Sequence, residues 1–212
     1  MKPGFDFTKA VLILSLVIAI AQISAVVSFS KASPSPAPEY HGKEDVNCEE
    51  IKDPSLYDSA VTCFSQGLTY YDQGRWREAI KAFERAALAE PDYHLAYFAL
   101  GITYSRLELW DEALTSFAKA VALSPYHAES YLGLGVAYTV LGRDSDALEV
   151  CRKAVQIKPE YAQAHYALAL IYLKLGDKAS ALVEWGVLKK LNFGLADEVM
   201  RLIGQEDGSL PR

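Results

Sequence analysis

Three cysteines and four histidines are the residues best suited to chemistry in this 212-residue chain. A bridge between Cys48 and Cys63 would close a loop of about 15 residues and contribute roughly 3 kcal/mol in the chain-entropy picture. Such a bridge requires an oxidising compartment; the alternative reading makes Cys63 an ordinary small side chain in the core. Cys151 falls at a core position and reads as a buried hydrophobe. His41, His94, His127 and His165 are scattered, and none stands at a ligand spacing from a cysteine or a carboxylate, so no metal site is expected. There is no Gly-rich phosphate loop, no Gly-x-Ser-x-Gly and no metalloprotease helix. The acidic pairs Glu49-Glu50 and Asp111-Glu112 read as loop charges and as first-turn charges at a helix N-terminus. The residues point away from an enzyme, and no cofactor or small-molecule substrate is expected.

The bulk composition narrows the classes further. Hydrophobic residues make up 51% and charged residues 23% of the chain, which supplies enough apolar surface to offset the entropy of ordering. A net charge of -6 argues against nucleic acid, whose phosphates demand a concentration of Lys and Arg. The apolar residues are unevenly spread. Residues 10–29 form an uncharged run, AVLILSLVIAIAQISAVVSF, which as a helix would be about 30 Å long and match a bilayer core. It reads as a transmembrane anchor or, alternatively, as a secretory signal removed by cleavage. Lys2 and Lys9 precede the run, and only Lys31 follows closely. That asymmetry places the remainder outside the cytoplasm, in the periplasm if the source is bacterial; the reversed topology is the alternative. Residues 30–53 begin with SKASPSPAP, an extended proline-rich linker, and Asp53-Pro54 has the form of a helix start.

From there the chain repeats. Pro91, Pro125 and Pro159 are separated by 34 residues each, and they divide the chain into units 60–93, 94–127, 128–161 and 162–193. Position 8 of the units is Gly67, Gly101, Gly135 and Ala169; position 11 is Tyr70, Tyr104, Tyr138 and Tyr172. Position 20 is Ala79, Ala113, Ala147 and Ala181, and position 24 is Phe83, Phe117, Cys151 and Trp185. Helical spacing of the apolar positions predicts two helices per unit. Gly74, Gly142 and Gly176 at position 15 suit a left-handed residue closing the first helix; Glu108 stands there in the second unit. Small residues at positions 8 and 20 let the two backbones approach. Such a hairpin cannot bury its apolar face alone, so successive units stack.

This pattern resembles the tetratricopeptide repeat over roughly residues 57–193. The resemblance implies an all-α solenoid of four helix-turn-helix repeats, 54–193, ending in a short capping helix at 194–204 and a tail at 205–212. It departs from the family at position 4, often tryptophan, where Cys63, Tyr97, Tyr131 and His165 stand. Asp144 and Lys178 replace the aromatic that Trp76 and Trp110 supply at position 17, which points to looser closure of the last two hairpins.

The resemblance further implies a groove lined by the first helix of each unit. Carried over to this sequence, positions 5 and 9 are Phe64 and Leu68, Phe98 and Ile102, Leu132 and Val136, Tyr166 and Leu170. Tyr71, Leu95 and Leu173 extend the set, with Val61 at its edge. All eight at positions 5 and 9 are apolar or aromatic and none is basic or an amide, which excludes the carboxylate clamp found in one branch of the family. An apolar groove of this kind needs a cover, and an amphipathic helix or extended apolar segment of a protein partner fits it. The alternative is that these positions simply pack against neighbouring repeats. The implied function is a membrane-tethered interaction scaffold; the competing reading is a self-assembling envelope protein that stacks through its terminal repeats.

Overall fold

The computed structural model describes residues 57–206. The apolar run 10–29, the linker 30–53 with Cys48, and the tail beyond Glu206 lie outside the described residues. Those that are described form nine helices and no strand, and none of the nine is long and apolar enough to cross a membrane. They fall into two compact units, residues 57–124 and 125–206. The first holds α1 (Tyr57–Asp72), α2 (Trp76–Ala89), α3 (His94–Arg106) and α4 (Trp110–Leu123). The second holds α5 (Ala128–Val140), α6 (Asp144–Ile157), α7 (Ala162–Lys174), α8 (Lys178–Leu191) and α9 (Phe193–Glu206).

Each hairpin turn is made the same way. Gly74, Gly142 and Gly176 have φ between 73° and 77°, a conformation in which a side chain would crowd the backbone. The next residue then donates its amide back to the position-11 carbonyl: Arg75 to Tyr70 at 2.9 Å, Arg143 to Tyr138 at 2.8 Å and Asp177 to Tyr172 at 2.8 Å. These bonds satisfy carbonyls that the helix end would otherwise strand. These bonds are as short in the last two hairpins as in the first, while contact between the two helices of a hairpin thins toward the fourth repeat. Glu108 adopts the same left-handed geometry at φ 58° without being glycine, and Leu109 still donates to Tyr104 at 3.0 Å. Glu108→Gly is therefore expected to raise stability by up to about 1 kcal/mol in thermal melts, since a non-glycine residue there carries roughly that penalty.

The second helices stop at prolines. Glu90, Ser124 and Lys158, immediately before Pro91, Pro125 and Pro159, all have φ near -130° and ψ near 90°, the extended geometry a following proline ring imposes. The fourth repeat lacks that proline. There Asn192 is extended instead, and its side chain accepts the Leu195 amide at 3.1 Å to start α9.

Packing inside the hairpins follows from residue size. Ala79, Ala113, Ala147 and Ala181 are fully buried, and in the first three repeats the position-8 glycine of the first helix meets the position-24 side chain of the second. A Cβ on Gly67 would come within 2.5 Å of Phe83, on Gly101 within 2.7 Å of Phe117, and on Gly135 within 2.3 Å of the Cys151 sulfur. Phe83, Phe117 and Cys151 are accordingly sealed, each phenylalanine contributing about 2–3 kcal/mol by burial. In the fourth repeat Ala169 supplies the Cβ that the others omit, and Trp185 sits only half-buried. α9 closes the second unit with Ala196, Val199 and Ile203 inward.

Candidate interaction surface

The residues expected to line a groove divide into two environments. In the first unit, Phe64 lies 5.5 Å from the Phe83 ring and 5.1 Å, edge-on, from Tyr93. Phe98 stands 5.9 Å from Phe117. Both position-5 rings are thus wedges within their own repeat, against its second helix and its closing residue, and not between neighbouring repeats as the alternative reading has it. Leu68 and Leu95 are half-buried, Val61 is exposed, and Ile102 is buried. Tyr71 packs edge-on to Trp76 at 4.8 Å and its hydroxyl accepts from Arg106 Nε at 2.9 Å. Burial raises the Tyr71 pKa against the opposing pull of that guanidinium.

In the second unit, Leu132, Val136, Tyr166, Leu170 and Leu173 are all buried. α7 goes further: every residue from Ala162 to Leu173 is buried, Gln163 and His165 among them. The first helices α3, α5 and α7 bury residues on more than one side, whereas α2 and α6 each confine their buried residues to one stripe. A solvent-open hollow of about 640 Å3 lies beside α6, lined by Tyr131 with Leu148, Glu149, Arg152, Lys153 and Gln156. None of the residues expected to bind a partner contributes to it.

Several polar contacts escaped sequence reasoning. Tyr104 donates its hydroxyl to Glu84 at 3.0 Å, and Tyr172 accepts from Arg152 at 2.8 Å. In both cases the position-11 tyrosine of one repeat reaches position 25 of the preceding second helix. The ring therefore ties repeats together, in addition to filling space beside the small residues. Lys174 likewise donates to Asp144 Oδ1 at 2.6 Å and to the Thr139 carbonyl at 3.2 Å. One-sequence periodicity cannot find such pairs, because their partners differ in type from repeat to repeat.

His165 has two partners. Its Nε2 lies 2.9 Å from the Pro159 carbonyl oxygen, and its Nδ1 lies 2.6 Å from Glu184 Oε2. A carbonyl only accepts, so Nε2 carries a hydrogen, and a second proton is shared between Nδ1 and the carboxylate. The Glu184 hydrogen bond raises the histidine pKa more than burial lowers it. A raised folded value means that the stabilisation is complete below the unfolded histidine pKa, near 6.5, and fades as pH rises through the folded value. Melts of the protein taken from pH 6 upward should show this loss, and Glu184→Gln should flatten it; an unchanged slope would refute the assignment.

A serine, an imidazole and a carboxylate also meet at the start of α5. His127 Nδ1 is 2.6 Å from Ser130 Oγ, and His127 Nε2 is 3.6 Å from Glu129. The grouping is a helix-end arrangement: Ser130 is fully buried, so its oxygen cannot meet a substrate. Burial alone would raise the Glu129 pKa, but Lys158 at 3.0 Å and the residue's own amide bring it below the usual carboxylate range. Among the described residues no three His, Cys, Asp or Glu side chains gather as a metal site. Cys63 is disulfide-bonded, Cys151 is free and buried, and burial pushes the Cys151 thiol up to about 12, which leaves it inert at neutral pH.

The sequence profile of the tetratricopeptide repeat matches residues 64–128, 98–162 and 158–186. The chain belongs to the tetratricopeptide repeat family. Solved structures share the fold of this tetratricopeptide repeat protein. The thermophilic TPR protein TTC0263 of Thermus thermophilus is 26% identical, over 70% of this chain and 84% of that one, with a TM-score of 0.60. MamA is 24% identical, over 72% and 83%, with a TM-score of 0.58. The first TPR of Spaghetti (RPAP3), bound to the HSP90 peptide SRMEEVD, is 23% identical over 57% and 96%, with a TM-score of 0.56. No curated protein matches the chain. Tetratricopeptide repeat proteins are in general scaffolds that bind peptides or proteins without performing catalysis.

Proposed function

We propose that this tetratricopeptide repeat protein is a non-enzymatic adaptor that holds an apolar or amphipathic segment of a partner protein against its first helices. The observation that carries this reading is the chemistry of positions 5 and 9: all eight are apolar or aromatic. All but Leu68 are buried, and Leu68, with Leu95 and Val61, leaves apolar area that a partner's hydrocarbon can cover. Positions 5 and 9 offer no cation to an acidic peptide such as the SRMEEVD bound by the RPAP3 repeat. Residues 10–29 tether the adaptor to a membrane, and the repeats stand outside the cytoplasm. The disulfide at Cys63 supports an oxidising compartment, with Cys48 as its partner.

Burial decides how this is tested. Glutamate at Ile102 or Val136 would unfold its repeat, so the informative positions are the half-buried Leu68 and Leu95. A protein that co-purifies with the full chain should be lost with Leu68→Glu and Leu95→Glu while the helical circular dichroism is retained. Equal recovery by both variants would sink the surface assignment. A second reading, self-assembly through the C-terminal end, is favoured by the exposure of Val183 and Phe193, 66% and 74%. Sedimentation of the chain as a monomer at tens of micromolar would count against it.

A further inference from the structure

α8 presents an outward face unlike those of the other second helices. Lys178, Leu182 and Lys189 stand at i, i+4 and i+11, and Val183, Gly186 and Lys190 at i, i+3 and i+7 beside them, so all six share one side of the helix. Val183 is 66% and Leu182 38% exposed, and both lysines of the last turn are exposed as well. A Cβ added at Gly186 would meet nothing within 4 Å, which leaves the middle of the face open. The exposed Phe193 follows at its C-terminal end.

The charge on this face has one sign. Glu184, the single acid of α8, has its carboxylate 2.6 Å from His165 Nδ1, and Asp177 caps the helix by accepting the Ser180 amide. The other second helices mix signs at their exposed positions: Glu84 with Lys81 on α2, Glu112 with Lys119 on α4, Glu149 with Lys153 on α6. Lysine stems lie along apolar surface while their ammonium groups reach outward. Lys189 already stands 4.6 Å over the half-buried Trp185 ring, and tryptophan is favoured where lipid meets water. A face that interleaves cations with exposed aliphatic side chains matches a surface that is anionic outside and hydrocarbon beneath.

We propose that the outward face of α8 docks on an anionic phospholipid surface, with Leu182, Val183 and Phe193 entering below the headgroups and Lys178, Lys189 and Lys190 meeting the phosphates. A second copy presenting the same face would set lysine against lysine. Apart from its lysines the face has no hydrogen-bonding side chain with which to fix the register of a protein segment, whereas lipid phosphates diffuse to wherever the ammonium groups stand. The net charge of -6 does not forbid the contact, because charges more than about 10 Å from the surface are screened at physiological salt. This surface is separate from positions 5 and 9, so it does not rest on the adaptor reading.

Quenching of the tryptophan emission of the full chain by vesicles of brominated phosphatidylcholine tests this. When the vesicles also contain phosphatidylglycerol, emission should be quenched, and Trp185→Phe should remove the effect. Phosphatidylcholine alone, or high salt, should remove it too. Each lysine at such a surface strengthens binding about fivefold, so Lys178→Gln with Lys190→Gln should shift the balance from docked to undocked α8 about 25-fold. Val183→Glu, at an exposed position, should abolish docking while helical circular dichroism is retained. Equal quenching with and without phosphatidylglycerol would overturn the proposal, since another segment would then hold the chain at the lipid; quenching that survives Trp185→Phe, or none at all, would overturn it as well. A co-purifying protein lost with Lys178→Gln and Lys190→Gln, without quenching by either lipid, would replace the lipid by an acidic protein segment. A dimer in sedimentation that Val183→Glu dissolves would replace it by a second copy.

Discussion

Breaking the disulfide at Cys63 should lower the stability of the first repeat by about 3 kcal/mol, the value for a closed loop of about 15 residues. Cys63 occupies position 4 of the first repeat and is 3% exposed, so reduction leaves a thiol in a packed site and frees the preceding segment. The effect should be local. Repeats of this kind interact mainly with their neighbours, so hydrogen exchange in α1 and α2 should accelerate while the buried amides of α7 keep their protection. If Cys48 is the partner, Cys63→Ser, Cys48→Ser and the double variant should melt alike, each several degrees below the parent. A double variant that melts well below either single one would exclude this pairing.

Gly135→Ala is the second large effect, and its sign separates two physical terms. Helix propensity alone predicts a gain of about 1 kcal/mol, because Gly135 lies inside α5. Packing predicts a loss, since the added Cβ would lie 2.3 Å from the Cys151 sulfur and 3.3 Å from Val150. The sulfur sits on a short side chain that is fully buried. Overpacking of this kind costs about 1–3 kcal/mol, so the melting temperature should fall. Cys151→Ala removes the obstructing atom, and in that background Gly135→Ala should become neutral or stabilising. A loss of equal size in both backgrounds would place the cause elsewhere.

The hairpins were legible because their determinants are local and recur. A glycine that must be left-handed, an alanine at the helix crossing and a proline that stops the second helix each act within one repeat, so four copies reinforce the signal. The interaction surface was less legible for two reasons. Phe64 and Phe98 sit at positions that line a groove in the family, but in this chain Phe83 and Phe117 stand close enough to hold them as core wedges. Apolar character alone cannot distinguish a wedge from a lining residue. The polar ties are also invisible to periodicity: His165 finds Glu184 one helix away, and no other repeat has a histidine at position 4. Glu108 shows the limit in the opposite sense, since a repeat can keep its turn geometry after losing the glycine that signals it.

The placement of the three tryptophans gives the protein an optical label for each unit. Trp76 and Trp110 belong to residues 57–124, while Trp185 alone reports on residues 125–206. Trp110 is buried, Trp76 lies against Tyr71, and Trp185 is half-buried beneath the Lys189 ammonium, which stands 4.6 Å from its ring. Their emission maxima should therefore differ. A chain retaining only Trp185 would follow the second unit by fluorescence, and a chain lacking only that residue would follow the first. Whether the two units melt together or in sequence can then be observed without cutting the chain between them.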